Sequence, residues 1–129
     1  MRLLLDTHLL LWASARSRRL PKEARRLLES HGNEVHFSAV SLWEIAIKLG
    51  LGRPDFRMDL GQLRVAASEM GFLELPLTSA HAERLLALPP IHGDPFDRML
   101  VAQSLSEPLV LLTNDSLLAR YGEVVRVVS

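Results

Sequence analysis

The chain has 129 residues, 48% of them hydrophobic, no cysteine, and 15 Lys plus Arg balanced by 15 Asp plus Glu. That length and apolar content suit one domain around one packed core. The missing cysteines exclude disulfides, thiolate metal sites and cysteine nucleophiles, and are compatible with a reducing compartment. The even charge balance excludes a protein that grips nucleic acid by bulk positive charge, so any basic footprint has to be local.

Arg2, the leucines after it and Ala13-Ser14-Ala15 imitate a secretory signal, but Asp6 and His8 interrupt the apolar stretch. No segment approaches the roughly 20 apolar residues of a membrane span, so the expectation is a cytoplasmic protein with no membrane segment. In chain order, Arg2 to Leu5 reads as a strand, followed by helices from His8 to Ala15 and from Lys22 to His31. A strand from Val35 to Phe37 leads into a helix from Ala39 to Leu49, which Gly50-Leu51-Gly52-Arg53-Pro54 breaks. Then come a helix from Asp59 to Met70, a strand from Phe72 to Leu75 and a helix from Ser79 to Leu88, closed by Leu88-Pro89-Pro90-Ile91-His92-Gly93. The last elements are a helix from Pro95 to Glu107, a strand from Leu109 to Leu112, a short turn from Ser116 to Tyr121 and a strand from Val124 to Val128. The strands are short, apolar or β-branched, and bounded by turn or cap residues. Their alternation with helices predicts an α/β fold with a mostly parallel sheet covered on both faces.

Asp6, Glu44, Asp97 and Asp115 stand at the ends of short apolar runs. Oxygen ligands hold hard cations such as Mg²⁺, and a fold can gather carboxylates that are distant in sequence. In an open parallel sheet, ligands bind beyond the carboxyl ends of the strands; Asp6 and Asp115 each follow a strand and would face the same edge. Each acid also has a local explanation. Asp6 or Thr7 can cap the first helix, Asn114 or Asp115 the last, and Asp94-Pro95-Phe96-Asp97 has the residue order of a helix start. Glu44 can complete a capping box with Ser41 or pair with Lys48.

At about 100° per residue, Ser41, Glu44 and Lys48 fall within about 60° of one another, with apolar residues around nearly all the remaining circumference. Such a helix should be largely buried, with its polar stripe facing either solvent or an internal cleft. The five histidines, His8, His31, His36, His81 and His92, show no close metal-ligand spacing, which argues against a zinc enzyme. Arg16, Arg18, Arg19, Lys22, Arg25 and Arg26 form the densest basic stretch, either an RNA-contacting patch or a solvated helix face.

Leu4-Leu5-Asp6-Thr7-His8, Ser41-Leu42-Trp43-Glu44-Ile45-Ala46-Ile47-Lys48, His92-Gly93-Asp94-Pro95-Phe96-Asp97-Arg98-Met99-Leu100-Val101-Ala102-Gln103 and Leu112-Thr113-Asn114-Asp115 resemble the PIN-domain nucleases. The match is strongest to the VapC-like ribonuclease toxins of bacterial and archaeal toxin–antitoxin pairs. It spans essentially the whole chain in the same order, and its specific parts are Trp43-Glu44-Ile45 and Asp94 to Arg98. The resemblance implies a single PIN-like domain over residues 1–129, built as a three-layer α/β/α sandwich. It also implies a Mg²⁺ site, with Mn²⁺ able to substitute, made by Asp6, Glu44, Asp97 and Asp115. Asp97 matches the family's third acid, whereas Asp94 is less secure as a ligand and Asp115 occupies a more variable position. By their place beside the acids, Thr7 and Asn114, with Ser41 and Thr113, can either cap helices or orient carboxylates and waters, and Arg98 can touch a substrate phosphate, stay solvated or pair with an acid. The implied activity is metal-dependent endoribonuclease action on RNA. The implied partners are a second copy in a homodimer and a small antitoxin that obstructs the acidic site.

Those residue types suit phosphodiester hydrolysis, in which one or two bound Mg²⁺ ions supply an activated water and stabilise charge on the phosphate oxygens. An aspartyl-phosphate phosphatase would carry a second Asp two positions after a strand-end Asp6, where this chain has His8. The stronger competitor is a noncatalytic α/β interaction module, because every acid can be assigned to a cap or an ion pair. Leu9, Leu10, Trp12 and the apolar helices suggest more hydrophobic surface than a monomer of this size buries, another reason to expect a dimer or a bound antitoxin helix.

Overall fold

Five strands, β1 (Arg2–Leu5), β2 (Glu34–Ser38), β3 (Leu73–Leu75), β4 (Val110–Thr113) and β5 (Val125–Val127), form one sheet in the order β3-β2-β1-β4-β5. Every neighbouring pair is parallel, so the sheet is wholly and not merely mostly parallel. The helices are α1 (Thr7–Ser14), α2 (Lys22–Glu29), α3 (Ala39–Gly50), α4 (Leu60–Glu69), α5 (Ser79–Leu85) and α6 (Pro95–Ser106), with a 3-10 helix at Ser116–Tyr121. This computed structural model describes residues 1–53 and 56–129; Pro54, the end of the expected break after α3, lies outside the described residues. No helix among the described residues is long and apolar enough to cross a membrane.

The central strand explains the layers. Successive side chains of β1 point to opposite faces, and all are apolar after Arg2, so both faces must be covered. Leu3 and Leu5 join Val35, Phe37 and Leu112 beneath α1, α2 and α4 through Leu9, Leu10, Ala24, Leu27, Leu63 and Ala67. Leu4 and Leu111 face the other way, against Leu100, Val101 and Leu118. Each leucine fully buried in these layers contributes about 1.5–3 kcal/mol. The result is a three-layer α/β/α sandwich.

Caps set most element ends. Asp6, not Thr7, is the N-cap of α1, which therefore begins one residue earlier than expected. Asp59 and Met70, expected inside α4, are its caps. The helix expected to reach Leu88 stops at Leu85 and tightens into turns, in which the N–H groups of Leu86, Ala87 and Leu88 bond carbonyls three residues back, before Pro89 and Pro90 end the run. The helix expected to reach His31 stops at Glu29, where Ser30 turns extended.

The structure reverses one expectation about surfaces, settles an alternative left open for α3, and exposes part of the apolar side of that helix, which was expected to be largely buried. Leu9 and Leu10 are completely buried under the sheet and offer nothing to a partner. In α3 the polar stripe turns inward, with Ser41 and Glu44 buried, while Trp43 is 58% and Ile47 42% exposed. This helix lies against both apolar layers at once, through Ile45 on one side and Val40 on the other, and that contact decides which stripe is hidden.

Candidate metal centre

Asp6 lies directly beyond β1 and works at two sites. Its Oδ1 accepts the Leu9 N–H at 2.8 Å, capping α1, and its Oδ2 accepts a short hydrogen bond from the Thr113 hydroxyl at the end of β4. Thr113 Oγ1 also accepts the Asp115 N–H at 3.0 Å, so one hydroxyl ties the two strand-end acids together. Burial raises the Asp6 pKa above the usual carboxylate value, and the bonds from Thr113 and Leu9 pull against that shift.

Glu44 is reached from α3 and is held at both oxygens. Thr7 Oγ1 stands 2.7 Å from Glu44 Oε1 and 2.9 Å from Ser41 Oγ. A hydroxyl carries one proton and an ionised carboxylate only accepts, so Thr7 donates to Glu44 and Ser41 supplies the proton of the second bond. Lys48 Nζ lies 3.0 Å from the other oxygen, Oε2. The expected Lys48 pair is therefore present. The capping box with Ser41 is not, because Ser38 caps α3.

Asp94 and Asp97 divide their work. Asp94 Oδ1 accepts the N–H groups of Phe96 at 2.8 Å and Asp97 at 3.1 Å, the geometry of an N-cap. The Asp97 carboxylate faces the acidic cavity, and its pKa is pushed up to about 7 by burial first, then by the charges of Asp94 and Asp6. His92 lowers it, and Glu44 adds a further upward push.

Asp115 caps the 3-10 helix through the Leu117 N–H at 3.0 Å and meets His92 Nε2 with its other oxygen at 2.9 Å. Together Asp6, Asp97, Asp115 and the exposed Asn114 line a cavity of about 320 Å³, with His8 and Trp12 at its wall. Thr7 and Glu44 sit beside this cavity and do not line it. Arg98 turns away from it: Nη2 donates to the Leu88 carbonyl at 3.3 Å, and the buried Nε has no partner among the described residues.

The residue that sequence reasoning does not select is His92. Its Nε2, Asp97 Oδ2 and Asp115 Oδ2 converge, with the candidate ligand atoms of the three residues all within 4.8 Å of one another. Spacing between histidines gives no hint of it. The available signal is position, two residues before the Asp94 cap, where a side chain can turn back over the helix start.

The donor set fits a hard divalent cation. Carboxylate oxygens dominate it, each carboxylate retains lone pairs beyond its hydrogen bonds, and the burial and, after it, the neighbouring negative charges that raise the Asp97 pKa are costs that a bound cation would offset. Asp6, Asp97 and Asp115 are the residues placed to hold such an ion, with Glu44 adjacent.

A parallel three-layer sandwich with clustered carboxylates at the strand carboxyl ends defines a class of α/β domains with an acidic cleft. Within that class, the PIN-domain model matches residues 3–124, and the chain belongs to the PIN-domain family, whose members are generally nucleases. Among solved structures, VapBC2 from Rickettsia felis bound to a promoter DNA fragment shares 12% identity over 100% of both chains, with a TM-score of 0.71. A toxin–antitoxin complex from Klebsiella pneumoniae shares 20% identity over 95% of this chain and 94% of that one, with a TM-score of 0.65. FitAcB from Neisseria gonorrhoeae shares 16% over 98% and 96%, with a TM-score of 0.61. At these identities the likeness establishes the fold. No curated protein matches the chain.

Proposed function

We propose that this chain is a single-domain, Mg²⁺- or Mn²⁺-dependent endoribonuclease and the toxin half of a toxin–antitoxin pair. The observation that carries the catalytic part is the convergence of Asp6, Asp97 and Asp115, from three separate segments, on one cavity at the carboxyl ends of β1 and β4. The toxin part is supported by the VapBC2 and Klebsiella pneumoniae complexes among the structures of similar fold.

A divalent ion held there would supply an activated water near neutral pH and stabilise charge on the phosphate oxygens. The chain's own residues prepare the place. Thr113 and the Leu9 N–H fix the direction of the Asp6 carboxylate, Leu117 and His92 fix Asp115, and Thr7 with Lys48 holds Glu44 ready beside them. Asp94 spends its oxygen on two backbone N–H groups, so its role is to start α6 and leave Asp97 free for the cavity. Unpaired RNA can bend a phosphate into such a recess, whereas a rigid duplex resists. Chelation should therefore abolish cleavage of single-stranded RNA by the purified protein, and persistence of cleavage under chelator would defeat the proposal.

An antitoxin or second copy would find its apolar surface on α3 rather than α1. Trp43 and Ile47 project outward there, followed by Leu51 at 61% exposure, and Trp43 meets Phe96 edge-on with ring centroids 5.2 Å apart. Light scattering, alone and with the product of the adjacent gene, tests this; a stable monomer indifferent to that product removes it. A noncatalytic module is the second reading, favoured by the fact that Asp6, Asp94 and Asp115 each do cap a helix. Titration with Mn²⁺ separates the two, because caps alone bind none.

A further inference from the structure

We propose that His92 is a positioning residue, not a metal ligand: its Nε2–H holds Asp115 in the pose in which that carboxylate faces the cation. The inference rests on the metal-centre reading above. A neutral imidazole has a single N–H, and here the ring's hydrogen bonds assign it. His92 Nδ1 accepts the backbone N–H of Asp94 at 3.0 Å, so the proton is on Nε2, where it donates to Asp115 Oδ2 at 2.9 Å. An Nε2 that carries a proton has no lone pair for a cation. Moving the proton to Nδ1 would set it against the Asp94 N–H.

The surrounding geometry shows what this bond holds. Asp115 starts a short 3-10 helix and its side chain is 39% exposed, more than that of any other acid lining the cavity. The His92 side chain is only 14% exposed, and its backbone N–H donates to the Tyr121 hydroxyl at 3.0 Å. His92 therefore clasps both ends of the 3-10 helix, Asp115 at its start and Tyr121 at its finish, to the loop that opens α6. Asp97 Oδ2, 3.6 Å from Nε2, lies on the same side. His92 thus stands beside both carboxylates and donates its one N–H to Asp115.

Two substitutions divide the ring's functions. His92→Asn keeps an acceptor near the Nδ1 position and loses the donor toward Asp115; His92→Gln keeps a donor near Nε2 and loses the acceptor. Mn²⁺ affinity measured by calorimetry should fall roughly 10- to 100-fold in the Asn protein and stay near the parent value in the Gln protein. Equal affinities, or weaker binding by the Gln protein, overturn the proposal. Electron spin-echo modulation of the bound Mn²⁺ should show no directly coordinated nitrogen in the parent; a coordinated imidazole overturns it. In metal-free protein, long-range ¹H–¹⁵N correlation should show the Nε2–H tautomer of His92, and the Nδ1–H tautomer overturns the positioning role independently of any metal. A parent that takes up no Mn²⁺ overturns the metal-centre reading and, with it, this role, whatever the tautomer.

Discussion

The sheet carries a cavity at each end, and the larger is the less organised. At the amino ends of the strands, a cavity of about 790 Å³ brings Arg16, Arg25 and His31 together with Glu29 and Glu34. At the carboxyl ends, about 320 Å³ is lined by Asp6, Asp97 and Asp115. In the first, exposed side chains of both signs offset one another in water, where such charges interact weakly. In the second, carboxylates of one sign are held close by caps, hydroxyls and an imidazole. Volume marks neither; chemical capacity lies where like charges are held together despite their repulsion.

The sharpest way to break this contrast is at the acidic end. Asp6→Asn and Glu44→Gln should each lower RNA cleavage by roughly 100-fold or more, since the first removes charge from a proposed metal ligand and the second from the carboxylate beside it, while nearly preserving shape. Both proteins should still melt cooperatively. An Asp6→Asn protein that cuts a responsive RNA at the parent rate would place the active site elsewhere.

Next in size is the effect of the cation on stability. At a Mn²⁺ concentration 100 times the dissociation constant, linkage contributes about 2.7 kcal/mol, a rise of roughly 10 °C for a domain of this size. A melting temperature that stays flat across millimolar metal counts decisively against the site.

A smaller effect follows from Asp97. Its pKa of about 7 in the folded protein exceeds the ordinary 3.8, so the stability it contributes through protonation is complete below about 3.8 and is lost as pH rises through about 7. Metal-free protein should therefore melt at a higher temperature at pH 5 than at pH 8. Asp97→Asn should shrink that difference while weakening Mn²⁺ binding. If the substitution lowers the melting temperature equally at both pH values and leaves affinity intact, Asp97 serves only the start of α6.

The smallest effect belongs to the amino-end cavity. Arg25→Ala should change stability by no more than about 0.5 kcal/mol and leave the cleavage rate close to the parent, as expected of an exposed side chain among mixed charges. A tenfold loss of rate would instead route RNA across the basic stretch from Arg16 to Arg26.

Sequence by itself determined the alternation of strands and helices, the placement of Asp6 and Asp115 beyond β1 and β4 on one edge, and the Asp94 cap. These depend on short-range chemistry: an apolar run of strand length, and a side chain within reach of an N–H two or three residues on. Tertiary structure alone decided that Ser41 and Glu44 face inward while Trp43 faces out, because periodicity defines a stripe and only packing against both apolar layers chooses the buried one. It also buried Leu9 and Leu10, turned Arg98 toward Leu88, and brought His92 to Asp115 across 23 residues of chain. Contacts of that separation follow from how α6 and the 3-10 helix dock on the sheet, and no local pattern encodes them.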